Sequence, residues 1–326
     1  MTLVNATMQR WFTQRLVTEQ NVSPHTITAY RDSIRLLLGY IDEHHHHPPN
    51  RLDFEHLDAT VIGAFLTWLE TDRHASISTR NARLAAIRSF FTYASFNHPE
   101  HAQLIARVLA IPTKRAPDPL VTYLTPTEID ALTTAPDPTT WTGRRDRTLL
   151  TVALQTGLRV SELVELRRSA LTLGPGGHLQ CIGKGRKHRA VPLTAHTQKH
   201  LRAWFDEHPG DIVFPRTDGH TLTRDAVRRI IDRHLATAIN TCPELARKNV
   251  TPHVLRHTCA MQLLRADIDI AVIALILGHA NIETTRVYLH ADHDIKQRAL
   301  DRLTPPGVPP GRYQPPDTLL AFLDAL

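Results

Sequence analysis

The sequence predicts a mainly α-helical protein of two domains, the second interrupted by a small antiparallel β-sheet. Apolar residues recur at helical spacing through most of the chain. One stretch, "LTLGPGGHLQCIGKGRKHRAVPL", breaks that period with glycines and β-formers. A proline-rich segment, "IPTKRAPDPLVTYLTP", parts the 326 residues into two halves, each long enough to bury its own core. The expected divisions are a helical domain over 1–110, a connector over 111–124, a second domain over 125–303 and a proline-rich tail over 304–326 ending in a short helix.

In the first domain, "SPHTITAYRDSIRLLLGYI" carries Ser23 as N-cap and Pro24 in the first turn. Ile27, Tyr30, Ile34, Leu37, Leu38 and Ile41 then fall on one stripe. "DATVIGAFLTWLE" and "SISTRNARLAAIRSFFTYAS" are further helices. The second of these presents Arg80, Arg83 and Arg88 as candidate phosphate contacts, with a solvated helix face as the alternative. "HHHHPPN" reads as a loop: Pro48 and Pro49 leave its histidines no fixed ligand geometry, so no metal is expected there.

The second domain opens with Thr125 and Glu128 at capping-box spacing. A helix over "RRDRTLLTVALQTG" precedes the sheet, whose tight turn holds Gly183, Lys184 and Gly185. Helices resume at "TAHTQKHLRAWFDE" and run to about Leu303. The helix from about Thr221 sets Arg224, Arg228 and Arg229 along one exposed side, with Arg224 and Arg228 as candidate DNA contacts and a solvated basic face as the alternative. In the tail, Leu319, Leu320, Phe322, Leu323 and Leu326 form an apolar patch suited to docking, either on its own chain or on a neighbour.

Composition bounds the function. No run of about 18 uncharged apolar residues exists to cross a bilayer, and the start lacks a signal-peptide stretch, so a cytoplasmic protein is expected. Three widely spaced cysteines, Cys181, Cys242 and Cys259, suit reduced thiols rather than a disulfide framework. The net charge of +6 lies in the second part, since residues 1–110 carry ten basic and ten acidic side chains. Such a balance is compatible with a polyanionic partner such as DNA.

Residues 251–290 raise a sharper question. Thr251 and Pro252 start a helix, which puts His253 and Arg256 one turn apart where free backbone N–H groups favour an anion. Gly278 ends a later helix, His279 follows it, and Tyr288 lies nine residues further on, in a new helix. Taken singly, each has a structural explanation as a surface charge, a hydrogen-bonded histidine or a packing tyrosine. Their joint arrangement points to phosphate chemistry.

"TGLRVSEL", "GKGRKHRAVPL", "TPHVLRHTCA" and "LGHANIETTRVYLH" occur in the order and approximate spacing of the tyrosine recombinase, or phage integrase, family, and are most similar to its Xer-type members. The amino-terminal half, through "SPHTITAYRDSI" and "TRNARLAAIRSFF", resembles the helical core-binding domain of those enzymes. The resemblance implies a two-domain clamp on DNA that cuts and rejoins strands at specific sites for integration, excision or resolution, through a 3′-phosphotyrosyl intermediate and with no cofactor. It makes Tyr288 the nucleophile, Arg159 and Arg256 the phosphate-binding pair and Lys184 the general acid, with His253 and His279 completing the set and Glu162 supporting it. Among these, His253 is expected to accept the tyrosine proton. It also implies specific core sites on double-stranded DNA, a homo- or hetero-tetramer on synapsed DNA through the C-terminal helix, and accessory proteins. The alternatives are a type IB topoisomerase-like relaxing enzyme and a non-catalytic DNA-binding regulator of the same fold.

The residue types fit that chemistry. Attack on a phosphodiester adds charge to its non-bridging oxygens, and two forked guanidiniums orient and neutralise it better than mobile ammonium groups. A tyrosine, with an ordinary pKa near 10, is protonated at neutral pH and needs a proton acceptor. The covalent link keeps the ester available to a new 5′-hydroxyl.

Overall fold

The computed structural model describes residues 3–115, 121–182, 188–279, 281, 284, 285 and 288. The chain forms two compact units, Met1–Asp118 and Pro119–Leu326.

In the first unit α1 (Leu3–Arg10) runs on as a π-helical segment, Trp11–Glu19, followed by α2 (Pro24–His45), α3 (Ala59–Thr71), α4 (Ile77–Asn97) and α5 (Ala102–Leu109). The helix starts are chemically marked. Ser23, Asp58 and Ser76 each accept a backbone N–H from the first turn, at 3.3, 2.8 and 3.2 Å. Of the predicted stripe on α2, Ile34, Leu37 and Ile41 are buried, while Ile27, Tyr30 and Leu38 are half-buried. All of these but Ile27 pack with Trp11, Phe65, Phe90 and Phe91 into one core.

The histidine tract departs from the loop reading. His44 and His45 form the last turn of α2, and His46 caps it in the left-handed region at φ 56°. His44 stacks on Tyr40, ring centroids 4.4 Å apart, and its Nδ1 meets the Tyr40 carbonyl at 3.0 Å. Aromatic packing against α2's own preceding turn extends the helix into a run that composition alone assigns to a loop.

The second unit contains α6 (Pro126–Thr134), α7 (Trp141–Thr156), α8 (Val160–Val164), β1 (Leu171–Thr172), β2 (His178–Ile182), β3 (His188–Pro192), α9 (Ala195–Glu207), α10 (Arg224–Ala238), α11 (Pro252–Arg265) and α12 (Ile270–Leu277). The strands form one antiparallel sheet in the order β1-β2-β3, with Leu179 opposite Val191 and Cys181 opposite Arg189. Thr125 and Glu128 make the predicted reciprocal cap on α6. The Thr251 hydroxyl caps α11 from the Val254 N–H at 3.2 Å. Beyond α12, Thr284, Thr285 and Tyr288 are helical, and the tail lies outside the described residues. So do Gly183, Lys184 and Gly185, expected in the sheet turn.

Two glycines set the site's frame. Gly157 ends α7 at φ 59° and Gly278 ends α12 at φ 66°, a region where a Cβ is penalised. A Cβ on Gly157 would meet Leu277 Cδ2 at 2.5 Å, and one on Gly278 would meet the Arg189 guanidinium at 2.6 Å. Both helix ends therefore come close enough for their carbonyls to be used by side chains from elsewhere.

Candidate active site

The last carbonyls of a helix lack intrahelical partners and carry the negative end of its dipole. At the C-terminus of α12 three arginines take them in turn. Arg189 Nε donates to Ile276 O at 3.0 Å, Arg256 Nη2 to Leu277 O at 2.7 Å and Arg159 Nη2 to Gly278 O at 2.9 Å. Arg256 also donates through Nη1 to Gly157 O at 2.6 Å, which ties α11 to the end of α7.

One carboxylate serves this group. Glu162 Oε1 accepts from Arg159 Nη1 at 3.0 Å and Arg189 Nη1 at 2.9 Å, while Oε2 accepts from Arg189 Nη2 and the Arg159 backbone N–H, both at 2.8 Å. Burial raises the Glu162 pKa, but the Arg189 and Arg159 bonds outweigh it and hold the carboxyl below its ordinary value. With both oxygens occupied twice, Glu162 orients arginines and has no lone pair to spare for proton transfer. Arg189 is a site residue that the sequence reading missed. It sits among several cations in "GKGRKHRAVPL", and only the strand register opposite Cys181 turns it towards Glu162.

The guanidiniums exceed the carboxylates here by two, in a partly dry corner. Burial and then the neighbouring Arg159 push Arg256 down to about 10, so it still carries its charge at neutral pH. Each guanidinium has five N–H donors, so Arg159 and Arg256 keep donors beyond those pinned to carbonyls.

A cavity of about 600 Å³ opens on this corner. Arg159, Arg256, His253, His257, His279 and Tyr288 all line it, together with Val121 and Thr122. Five of the six predicted catalytic side chains thus meet at one place, and Lys184 lies outside the described residues. Tyr288 is only 2% exposed, packed with Cys259, Met261 and Leu277. Burial pushes its phenol up to about 12 against the pull of Arg256. Cys259, also pushed to about 12 by burial, is an inert thiol.

The histidines differ from expectation in one respect. The group that meets the Tyr288 hydroxyl is His257, with Nδ1 at 2.9 Å, whereas His253 lies one turn earlier on α11 and is exposed. His279 is half-buried, its Nδ1 engaged with the Thr285 hydroxyl at 2.7 Å. Burial first, then Arg256 and Arg159, lower its pKa to about 4, so it is a neutral ring in this cationic corner.

The predicted DNA contacts of the first unit look inward. Arg80 is 5% exposed and donates to Pro112 O at 2.9 Å, Arg83 donates to Ser33 Oγ at 2.9 Å, and Arg88 donates to Ile111 O. These guanidiniums tie α4 to α2 and to the chain leaving α5, so their donors serve backbone carbonyls of their own unit. On α10, Arg224 is exposed, while Arg228 pairs with Asp232 at 2.9 Å and with Asn249 Oδ1 at 2.9 Å.

Known families and structures match most of this chain. Residues 122–294 match the model of the phage integrase family, and residues 10–96 match the phage integrase N-terminal SAM-like domain. The chain belongs to the phage integrase family. Its enzyme class is the tyrosine-type site-specific recombinase, a DNA strand transferase. The chain is 48% identical to the protein named "Putative integrase/recombinase y4rC" of Sinorhizobium fredii, covering 98% of this chain and 97% of that one. It is 31% identical to tyrosine recombinase XerC of Pelobacter propionicus, covering 91% and 94%. In fold it resembles the XerH recombinase bound to difH substrate after cleavage, with TM-score 0.69 at 23% identity over 86% of this chain and 81% of that one. A Tn1549 transposon integrase with circular intermediate DNA gives TM-score 0.69 at 17% identity over 93% and 100%. Among the described residues no helix is long and apolar enough to cross a membrane.

Proposed function

We propose that this recombinase breaks and rejoins DNA by attack of the Tyr288 hydroxyl on a phosphodiester held by Arg159 and Arg256. The observation that carries the reading is that the tyrosine lines the same cavity as the two guanidiniums. A phosphate in that cavity meets donors whose positions are already fixed by carbonyl bonds and by Glu162, so charge developing on its oxygens is stabilised without reorganisation. His253 and His279 supply further polar contacts from the rim and from beyond α12. Lys184 protonates the departing 5′ oxygen. In support, Arg189, one residue beyond the strand end that follows the turn, already reaches Glu162. The product is a 3′-phosphotyrosyl bond, which a 5′-hydroxyl from another strand reverses to complete exchange.

On this reading residues 1–110 form the core-binding domain, 111–124 the linker, 125–303 the catalytic domain and 304–326 a tail that docks on a neighbour. The two domains clamp double-stranded DNA at specific core sites, and four protomers act on synapsed sites in the cytoplasm, with accessory proteins setting direction. Arg224 and Arg228 of α10 contact DNA from the catalytic side, while the inward bonds of Arg80, Arg83 and Arg88 support a scaffolding role for them.

A nicked duplex carrying the core site, in which the cleaved end diffuses away, tests the proposal. The parent protein accumulates as a covalent protein–DNA species, and Tyr288→Phe does not. Equal accumulation by the two proteins would refute the nucleophile assignment.

A further inference from the structure

Three histidines line the cavity with Tyr288, and they stand in different relations to its hydroxyl. His279 has its Nδ1 engaged by Thr285. His253 is exposed, and its ring lies 6.2 Å from that of His257 in a roughly parallel stack, one helical turn away on α11. His257 is half-buried, meets Tyr288 edge to face with ring centroids 5.5 Å apart, and brings Nδ1 to 2.9 Å from the phenolic oxygen. We propose that His257, and not His253, holds the Tyr288 hydroxyl in place and takes its proton when the tyrosine attacks. The proposal rests on the assignment of Tyr288 as nucleophile.

The proton bookkeeping is complete. As the Oη–P bond forms, the phenolic proton passes to His257 Nδ1. The P–O5′ bond breaks, and the 5′ oxygen takes a separate proton, the one assigned to Lys184. In the rejoining step a 5′-hydroxyl gives its proton back to Lys184 as it attacks the phosphotyrosine, the Oη–P bond breaks, and His257 returns its proton to the departing phenolate. Catalysis of this kind needs an acceptor within hydrogen-bond reach of the reacting group, which His257 satisfies at rest.

The surroundings favour a neutral ring. Titratable and charged groups lining the cavity with His257 are His253 and Arg256 from α11, Arg159 at the start of α8, and His279 and Tyr288 beyond α12. Burial, and then His253 and Arg256, hold His257 below the ordinary histidine value, so at neutral pH it is uncharged and, with its proton on Nε2, offers a bare Nδ1. The tyrosine needs such a partner because burial lifts its own pKa and makes spontaneous phenolate scarce. His253 at the exposed end is left to face the entering phosphate.

The test uses the full chain and a nicked duplex carrying the sequence that the protein itself enriches from a random-sequence pool. His257→Asn keeps a hydrogen-bonding atom near the Nδ1 position but has no useful proton affinity. It should bind the duplex as the parent does and form the covalent species about 10²-fold more slowly. The parent's rate should fall in acid as His257 becomes protonated, and that limb should vanish in His257→Asn. Replacing the bridging 5′ oxygen by sulfur, which leaves without a proton, should restore Lys184→Ala but not His257→Asn. A His257→Asn rate within about twofold of the parent, with the acid limb intact, overturns the proposal, as does transfer of that loss to His253→Asn. Covalent species formed by Tyr288→Phe would instead overturn the underlying nucleophile assignment, so the two failures are distinguishable.

Discussion

Three arginines on α4 and three around the end of α12 use the same donor groups on the same kind of acceptor, a backbone carbonyl, in the two halves of the molecule. On α4 the acceptors are Pro112 O, Ile111 O and Ala29 O, and no carboxylate joins them in these bonds. Around α12 the acceptors are Ile276 O, Leu277 O and Gly278 O, with Glu162 gripping two of the three arginines and a cavity lined by Arg159 and Arg256. Guanidinium-to-carbonyl bonds therefore serve two ends. On α4 they close a fold, and around α12 they brace cations that still have donors to offer. The cavity and the nearby tyrosine make the difference.

Perturbing each set in turn sharpens the contrast. Arg256→Lys keeps a charge but loses the fork that reaches Gly157 O and Leu277 O together. Strand cleavage should fall by roughly 10²-fold or more while the circular-dichroism spectrum stays native. A near-parental rate would place phosphate binding elsewhere.

Glu162→Gln leaves Arg189 without its charge partner in a buried setting, with side chains 7% and 9% exposed. Loss of one member of such a pair costs on the order of 3 kcal/mol, read as a drop in denaturant midpoint. Because the Glu162 pKa is held below its unfolded value, its contribution is present above about pH 4.3 and is lost as pH falls through the folded value. The parent should lose this increment of stability in acid, and the Gln variant should show no such loss.

Arg80→Met should behave oppositely to Arg256→Lys. With the bond from Arg80 to the Pro112 carbonyl lost, stability should drop by about 1 kcal/mol, while cleavage at low temperature stays within a few-fold of parental. The smallest effect is expected for Arg228→Ala on α10, whose partners Asp232 and Asn249 are exposed. It should lower the slope of log affinity against log salt by about one and leave cleavage nearly unchanged.

Local chemistry was legible from sequence wherever a single residue type decides the backbone. Ser23, Thr125 and Thr251 cap helices as their side chains require, and Gly278 ends α12 in the left-handed region that its missing Cβ permits. The convergence of Arg159, Arg256, His253, His279 and Tyr288 was legible through ordered motifs rather than through spacing. What escaped depends on phase. The sequence reading took His253 and passed over His257 one turn further on, and only the packing of Tyr288 against α11 brings a histidine nitrogen, that of His257, to its hydroxyl. Arg189 needed a strand register, and the inward turn of Arg80 needed the path of the chain after α5. The helical reading of His44 and His45 needed Tyr40 stacked beneath them.

Strand exchange by this chain turns on one bond between Tyr288 and DNA. Trapped complex digested with nuclease and protease, then sequenced by tandem mass spectrometry, should carry its nucleotide remnant on the peptide containing Tyr288. A remnant on any other side chain, or an adduct of unchanged yield from Tyr288→Phe, would contradict it.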